Sequence, residues 1–379
     1  MQKIFLISFI LFSVTVAAQK SATESTLQKT NIESLTLEKA VNYALIYSPT
    51  LNVEKIKLKE ATNQVTDSRL QNIPDIYLSG NLKHNLIIPA TPVPANVFNP
   101  SAPENEMMYL QFNTKWNSTA GINLSYDLFN PEKVNQLSQQ KKQLKIQEYD
   151  TQISIEKLRN NVALAYAECV IAEEQRLLLM IDTTYYANLL NEAKQLYNNE
   201  KITLTEKNNI FRSFNESTAK YLEAEKIVKE RKAELLYLLG SEITLEKIKK
   251  LSLEEDIPEL LIKMEQDIFT IHAMNSLEEM RQQELVNLSE LRLRSASWKY
   301  APTLSVNGYY GTNYYNNKLS LFEDKHWRGN SYIGLSINIP VSQSFRTSNE
   351  ISRLHLQQQM ESENLRDLRN KHEKEQIND

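Results

Sequence analysis

The chain of 379 residues has one cysteine, seven glycines, no excess of basic charge and, past its first residues, no long apolar run. Each shortage excludes something. A single cysteine, Cys169, allows no internal disulfide, and it stands too far along the chain to carry a lipid on a newly cut N-terminus. A net charge of −4 offers no basic face for nucleic acid. With the N-terminus set aside, no run of the roughly 18 apolar residues that a membrane helix needs is left. So few glycines mean that the chain is mostly helix or gathers its turns into a few places.

Sites for chemistry are missing as well. His84, His272, His326, His355 and His372 show no metal-ligand spacing with one another or with Cys169, which reads as a packed thiol inside a helix. No glycine-rich loop is present to cradle a phosphate. Carboxylates interleave with Lys and Arg, as in "AEKIVKERKAE" (224–234), the pattern of a solvated helix face with local ion pairs. The expectation is no catalytic residue, no cofactor, no metal and no enzyme.

What is present begins with an export signal over residues 1–18. Lys3 opens it, Ile4–Val16 is its apolar core, and Val16-Ala17-Ala18 supplies the small residues of a cleavage site. That core is too short to span a bilayer. Residues 19–34 are polar and read as a flexible tether.

Long stretches then run without glycine or proline: Glu132 to Leu239, Glu259 to Ala301 and Val341 to Asp379. Rich in Leu, Glu, Lys, Gln and Ala, they are helix. Thr36 caps a short helix, and Ser48-Pro49 restarts one that runs to Leu70. Residues 131–198 form a rod about 100 Å long at 1.5 Å per residue. The polar "NNEKIT" (198–203) turns the chain, and a helix returns to a natural C-terminal stop at Gly240. The lengths predict that the long rod lies against two shorter helices, 203–240 and about 265–298, placed end to end. Ala163, Ala165 and Ala167 permit close approach. Helices alone would also suit a coiled-coil scaffold.

The segments between the rods read differently. From Leu110 to Leu128 the even positions are mostly apolar and the odd ones polar, a period of two that no helix produces. The same alternation marks 75–88, 303–316 and 329–341, with His84 an exception on its apolar side. Four long strands in two hairpins are expected, at 75–88, 107–129, 303–316 and 329–341. Leu110, Phe112, Trp116, Ile122 and Leu124 of the first hairpin, and Ile333, Leu335 and Ile337 of the second, are candidates for a lipid-facing surface. Such faces fit a membrane barrel; the alternative is a soluble β-module with one wet face on an exported periplasmic or surface scaffold. Open edges cannot sit in lipid, and the smallest closed membrane barrels need about eight strands, so several copies must share one wall. Between the first two strands lies "IIPATPVPANVFNPSAP" (87–103), whose prolines suit an exposed loop.

The chain also repeats itself. "NIPDIYLSGN" (72–81) aligns with "KYAPTLSVNGYYG" (299–311), placing Pro74 with Pro302 and Gly80 with Gly308. "AGINLSYDL" (120–128) aligns with "IGLSINIPV" (333–341), with Gly121 over Gly334. Together with "LTLEKAVNYALIYSPTL", "AYAE" and "AELLYLLG", these stretches make residues 35 to about 370 resemble the TolC-like outer membrane efflux protein family. The resemblance implies a mainly α protein with β: antiparallel helical hairpins forming a periplasmic tunnel, and four membrane strands per chain in a trimeric barrel. It implies a two-fold internal repeat, 35–240 and 265–379, about an equatorial segment 241–264. It further implies a homotrimer in the outer membrane, partnered by outer-membrane lipid, a periplasmic adaptor and an inner-membrane transporter. The chain would be the passive exit duct of a tripartite efflux or type I secretion system. Ile202, Thr203 and Glu206 match the family's hairpin tip, where the adaptor docks, and Leu204 lies beside them. Glu200 stands where glycine is usual and Lys207 where an apolar residue is. The last helix, 345–379, mirrors only part of 131–198, so the chain reads as truncated at its C-terminus, and no gate residue is carried over.

Overall fold

The structure, a computed structural model, describes residues 34–101, 103, 105–260, 269–341 and 344–378. The expected signal peptide, and the tether up to residue 33, lie outside them. Two helices open the chain, α1 (Leu37–Tyr47) and α2 (Pro49–Leu70). Thr36 caps α1 by accepting the Lys39 N–H. Ser48 does not cap α2 through its side chain; its hydroxyl pairs with that of Thr50, 2.8 Å away.

The rod is a single helix, α3 (Pro131–Asn198), of 68 residues. Asn130 starts it by accepting the Glu132 and Lys133 N–H groups, with Pro131 in the first turn. Two shorter helices lie along it, α4 (Leu204–Leu238) beside its second half and α6 (Phe269–Ser297) beside its first. Ion pairs record the arrangement: Arg231–Glu168 joins α4 to α3, while Lys142–Glu284 and Lys157–Glu278 join α3 to α6. The length argument therefore holds. A last helix, α7 (Ser344–Asn378), packs on α6.

The core lies where these helices meet at mid-length. Leu37, Ala40 and Ala44 of α1 form one stripe, facing Leu158, Val162, Ala165, Tyr166, Cys169 and Val170 of α3 and Leu235, Leu236 and Leu239 at the end of α4. Burial pushes the Cys169 thiol up to about 12, so it packs as an inert small hydrophobe. The segment after α4 closes this core with α5 (Leu245–Lys250) and a two-residue parallel pairing of β1 (Ser34–Leu35) with β6 (Ser252–Leu253). Three buried polar groups fix it. Glu255 accepts the Leu37 N–H at 2.9 Å, a carboxylate at the positive end of α1. The Tyr166 hydroxyl donates to the Leu35 carbonyl at 2.9 Å. Lys232, 7% exposed, donates to the Leu251 carbonyl and pairs with Glu173. Burial raises the Glu173 carboxyl, but Lys232 and Arg176 outweigh that and hold it below the usual range.

Four strands form one antiparallel sheet in the order β2 (Asp75–His84), β5 (Trp116–Phe129), β7 (Thr303–Asn316), β8 (Trp327–Asn338). Two expectations need correction. The strand read as 107–129 is two strands, β4 (Met107–Leu110) and β5, parted at 111–115, where Thr114 turns its hydroxyl onto the Trp116 carbonyl and the Asn117 side chain. Leu110 and Phe112 therefore stand outside the sheet. The proline-rich loop also contains a strand, β3 (Thr91–Pro94), paired with β4. Ala95 donates to the Glu106 carbonyl at 2.8 Å, so alternate residues back along β3 face β4. Pro92 and Pro94 fall on the outward positions, where no N–H is needed.

Two helices end in the same left-handed turn. After α4, Gly240 has φ +70°, with its N–H on the Tyr237 carbonyl and that of Ser241 on the Leu236 carbonyl. After α3, Glu200 has φ +57°, with its N–H on the Tyr197 carbonyl and that of Lys201 on the Leu196 carbonyl. A side chain at 240 would meet the Tyr47 carbonyl at 2.5 Å. Gly240→Ala should destabilise the junction by more than about 2 kcal/mol, and Glu200→Gly should stabilise the hairpin by about 1 kcal/mol. Thermal unfolding of the detergent-solubilised protein checks both; equal midpoints would contradict the shared geometry.

Candidate functional site

Residues directly opposite in an antiparallel sheet share a face. The register sets Ile76 against Leu124, Leu78 against Ile122 and His84 against Trp116. It continues Leu124 to Gly308 and Ile333, Tyr126 to Val306 and Leu335, and Leu304 to Ile337. One face is thus apolar on all four strands, and it brings together Trp116, Ile122, Leu124, Ile333, Leu335 and Ile337 of the candidates. The opposite face holds Ser79, Asn81, Asn123, Ser125, Asn307, Ser336 and others of their kind. The alternation follows from pleating, which sends neighbours to opposite sides.

Among the described residues nothing covers the apolar face. Leu78 is 77% exposed, Ile333 78% and Leu335 71%, far beyond the isolated apolar side chains of an ordinary surface. The strands are 10, 14, 14 and 12 residues long, at or above the roughly 9–11 that a tilted strand needs to cross a bilayer. Aromatics gather at the end away from the helices. His84 stacks on Trp116 at 4.2 Å, and Tyr314, fully buried, touches Trp327. The His84 exception is thereby explained: its ring lies on an aromatic partner at the margin of the apolar band. Among the described residues both outer strands, β2 and β8, have an unpaired edge. No helix among the described residues is long and apolar enough to cross a membrane.

The second candidate is the turn between α3 and α4. Thr203 caps α4 by accepting the Glu206 N–H, and the Glu206 carboxylate accepts the Thr203 N–H at 2.7 Å and its hydroxyl at 2.8 Å. The Thr203 backbone and hydroxyl hold that carboxyl below the usual range. Thr203 and Glu206 thus build the turn, Ile202 is half-buried, and Leu204 is exposed. Lys207, which stands where the resembled family has an apolar residue, sets its ammonium 4.1 Å from the centre of the Tyr197 ring and so ties the two helices across the turn.

Among the described residues no cluster of three or more His, Cys, Asp or Glu could hold a metal. A cavity of about 650 Å³ lies where sheet meets helices, lined by Asn130, Gln136, Arg292, Lys299 and Glu350 among others. Its Lys299 and Glu350 pair with each other at 2.8 Å.

The sequence profile of the outer membrane efflux protein family matches residues 40–241, just over half of the chain. Comparison with curated proteins finds no match. Among solved structures, the outer membrane protein VceC of Vibrio cholerae superposes with a TM-score of 0.62 at 15% identity, over 87% of this chain and 74% of that one. The CmeC outer membrane channel of Campylobacter jejuni gives 0.65 at 17%, over 87% and 67%. The open MtrE outer membrane channel of Neisseria gonorrhoeae gives 0.60 at 14%, over 88% and 69%. These likenesses concern the fold, a mostly helical body carrying a few long strands. The profile match covers more than half of the chain, and the sheet is apolar on one side and polar on the other: this is an outer-membrane protein that extends into the periplasm, and it belongs to the outer membrane efflux protein family.

Proposed function

We propose that three copies of this chain close their sheets into one barrel of twelve strands, and that the barrel is the passive exit duct of a tripartite efflux or type I secretion system for small molecules or polypeptides. The carrying observation is the apolar face, exposed on every strand of a sheet with two open edges. In lipid each unpaired backbone group costs several kcal/mol, so the edges must find partners. An antiparallel sheet with an even number of strands has its outer strands running oppositely. β8 of one copy can therefore pair antiparallel with β2 of the next without a change of pattern. Ile122, Leu124, Ile333, Leu335 and Ile337 then face lipid, with Trp116 at the outer margin.

The order helix, strand pair, long helix occurs twice, as α2, β2, β5, α3 and as α6, β7, β8, α7. This supports reading 35–240 and 265–379 as two repeats about the equatorial segment 241–264. The helices continue the duct as a periplasmic tunnel. The turn at 199–206 is its far end, where Leu204 and Ile202 meet a periplasmic adaptor that couples the duct to an inner-membrane transporter.

The protein should fractionate with the outer membrane, need detergent and run as a heat-modifiable trimer; a soluble monomer after signal removal would defeat the reading. Ile333→Arg or Leu335→Arg should each cost about 2–4 kcal/mol of barrel stability and deplete the trimer band. Ile202→Arg or Leu204→Arg should leave that band intact yet abolish efflux of a fluorescent cargo. Unchanged efflux removes the adaptor role from the turn.

A further inference from the structure

On the polar face, one row crosses the whole sheet: Tyr77 opposes Asn123, Asn123 opposes Tyr309, and Tyr309 opposes Tyr332. Three of its four members are tyrosine. The rows beside it are small. Toward the loop end stand Ser79, Gly121, Gly311 and Asn330; toward the helix end stand Asp75, Ser125, Asn307 and Gly334. A row of the bulkiest side chains between rows containing glycine projects from the wall.

The glycines also arrange the tyrosines. A side chain at Gly121 would come within 2.8 Å of the Tyr309 ring, and one at Gly311 within 2.6 Å of its hydroxyl. Tyr309 therefore lies flat over this glycine pair, held by packing, since its buried hydroxyl has no hydrogen-bond partner in the structure. Tyr332 stacks on it, with ring centres 5.8 Å apart and planes 25° from parallel. Tyr77 and Tyr332 remain 55% and 59% exposed. They stand on the two outer strands, and Tyr309 lies between. The belt and its neighbouring row toward the loop end carry no charge.

We infer that the Tyr77–Asn123–Tyr309–Tyr332 row is a narrowing of the barrel lumen that selects flat aromatic cargo. This rests on the duct reading above, which turns the polar face inward and repeats the row three times at one depth. The exposed parts of the Tyr77 and Tyr332 rings bind planar π surfaces in offset stacks, and the hydroxyls of these two tyrosines suit polar substituents. Aliphatic cargo of equal charge gains neither. Serine at 77 and 332 would widen the passage by removing two half-exposed rings, at the cost of the Tyr332 stack on Tyr309.

The test uses trimers reconstituted in planar bilayers, with pyrene sulfonate and hexyl sulfonate as probes. Pyrene sulfonate should block the ion current at a concentration about tenfold lower than hexyl sulfonate. Tyr77→Ser with Tyr332→Ser should raise single-channel conductance and erase that difference, while Tyr77→Phe with Tyr332→Phe should retain it. Equal block by both probes, or unchanged block and conductance in the serine variant, overturns the belt while leaving the duct standing. Assembled trimers that pass no current overturn the duct, and the belt with it.

Discussion

The architecture depends on one constraint, the need of every backbone N–H and C=O to find a partner where water is absent. Inside the helices that need is met locally, and α3 meets it over 68 residues without a break. Inside the sheet it is met by the register of β2, β5, β7 and β8. It fails at the two outer strands. An open edge is tolerable in water and not in hydrocarbon, and the apolar face adjoining these edges is made for hydrocarbon. Each open edge of the chain accepts a strand of opposite direction, which a neighbouring copy would supply in the proposed trimer.

The helical body answers a different demand, that of holding its own long rods together. It does so through one dense junction instead of a core spread along the rods. α1, the middle of α3, the end of α4 and the segment after it meet around Tyr166 and Cys169. The buried polar groups there join parts of the chain that are remote in sequence. Glu255 holds the start of α1 across 218 residues, and Lys232 links Glu173 to the Leu251 carbonyl. Groups buried in this way are costly to leave unpaired, so they fix one arrangement of the helices among several that apolar contacts alone would accept.

Much of this was legible in the sequence because it is written in local codes. The absence of glycine and proline marked α3, and Pro131 and Asn198 bound it as expected. A period of two marked the sheet, and Gly240 marked a helix end. Legibility ended where non-local or competing local forces decide. Alternation continued through 111–115, but Thr114 and Asn85 draw the backbone into a turn there, so Leu110 and Phe112 leave the sheet. Two prolines hid β3, because sequence does not say which way each nitrogen faces. Glu200 occupies a glycine's conformation, announced by the resembled family's usual glycine there and not by its own side chain. The capping role of Thr203 and Glu206 was readable as a spacing, whereas the ring beneath Lys207 and the tyrosine row needed the register and the fold.

The state of Cys169 has a practical side. Its sulfur is wholly enclosed and burial disfavours its thiolate, so it offers maleimides and spin labels almost nothing to react with. Any cysteine placed on a strand edge, in the lumen or at the hairpin turn would be the sole reactive thiol in the molecule. Distances between copies could then be measured in the native chain, with no background to remove first.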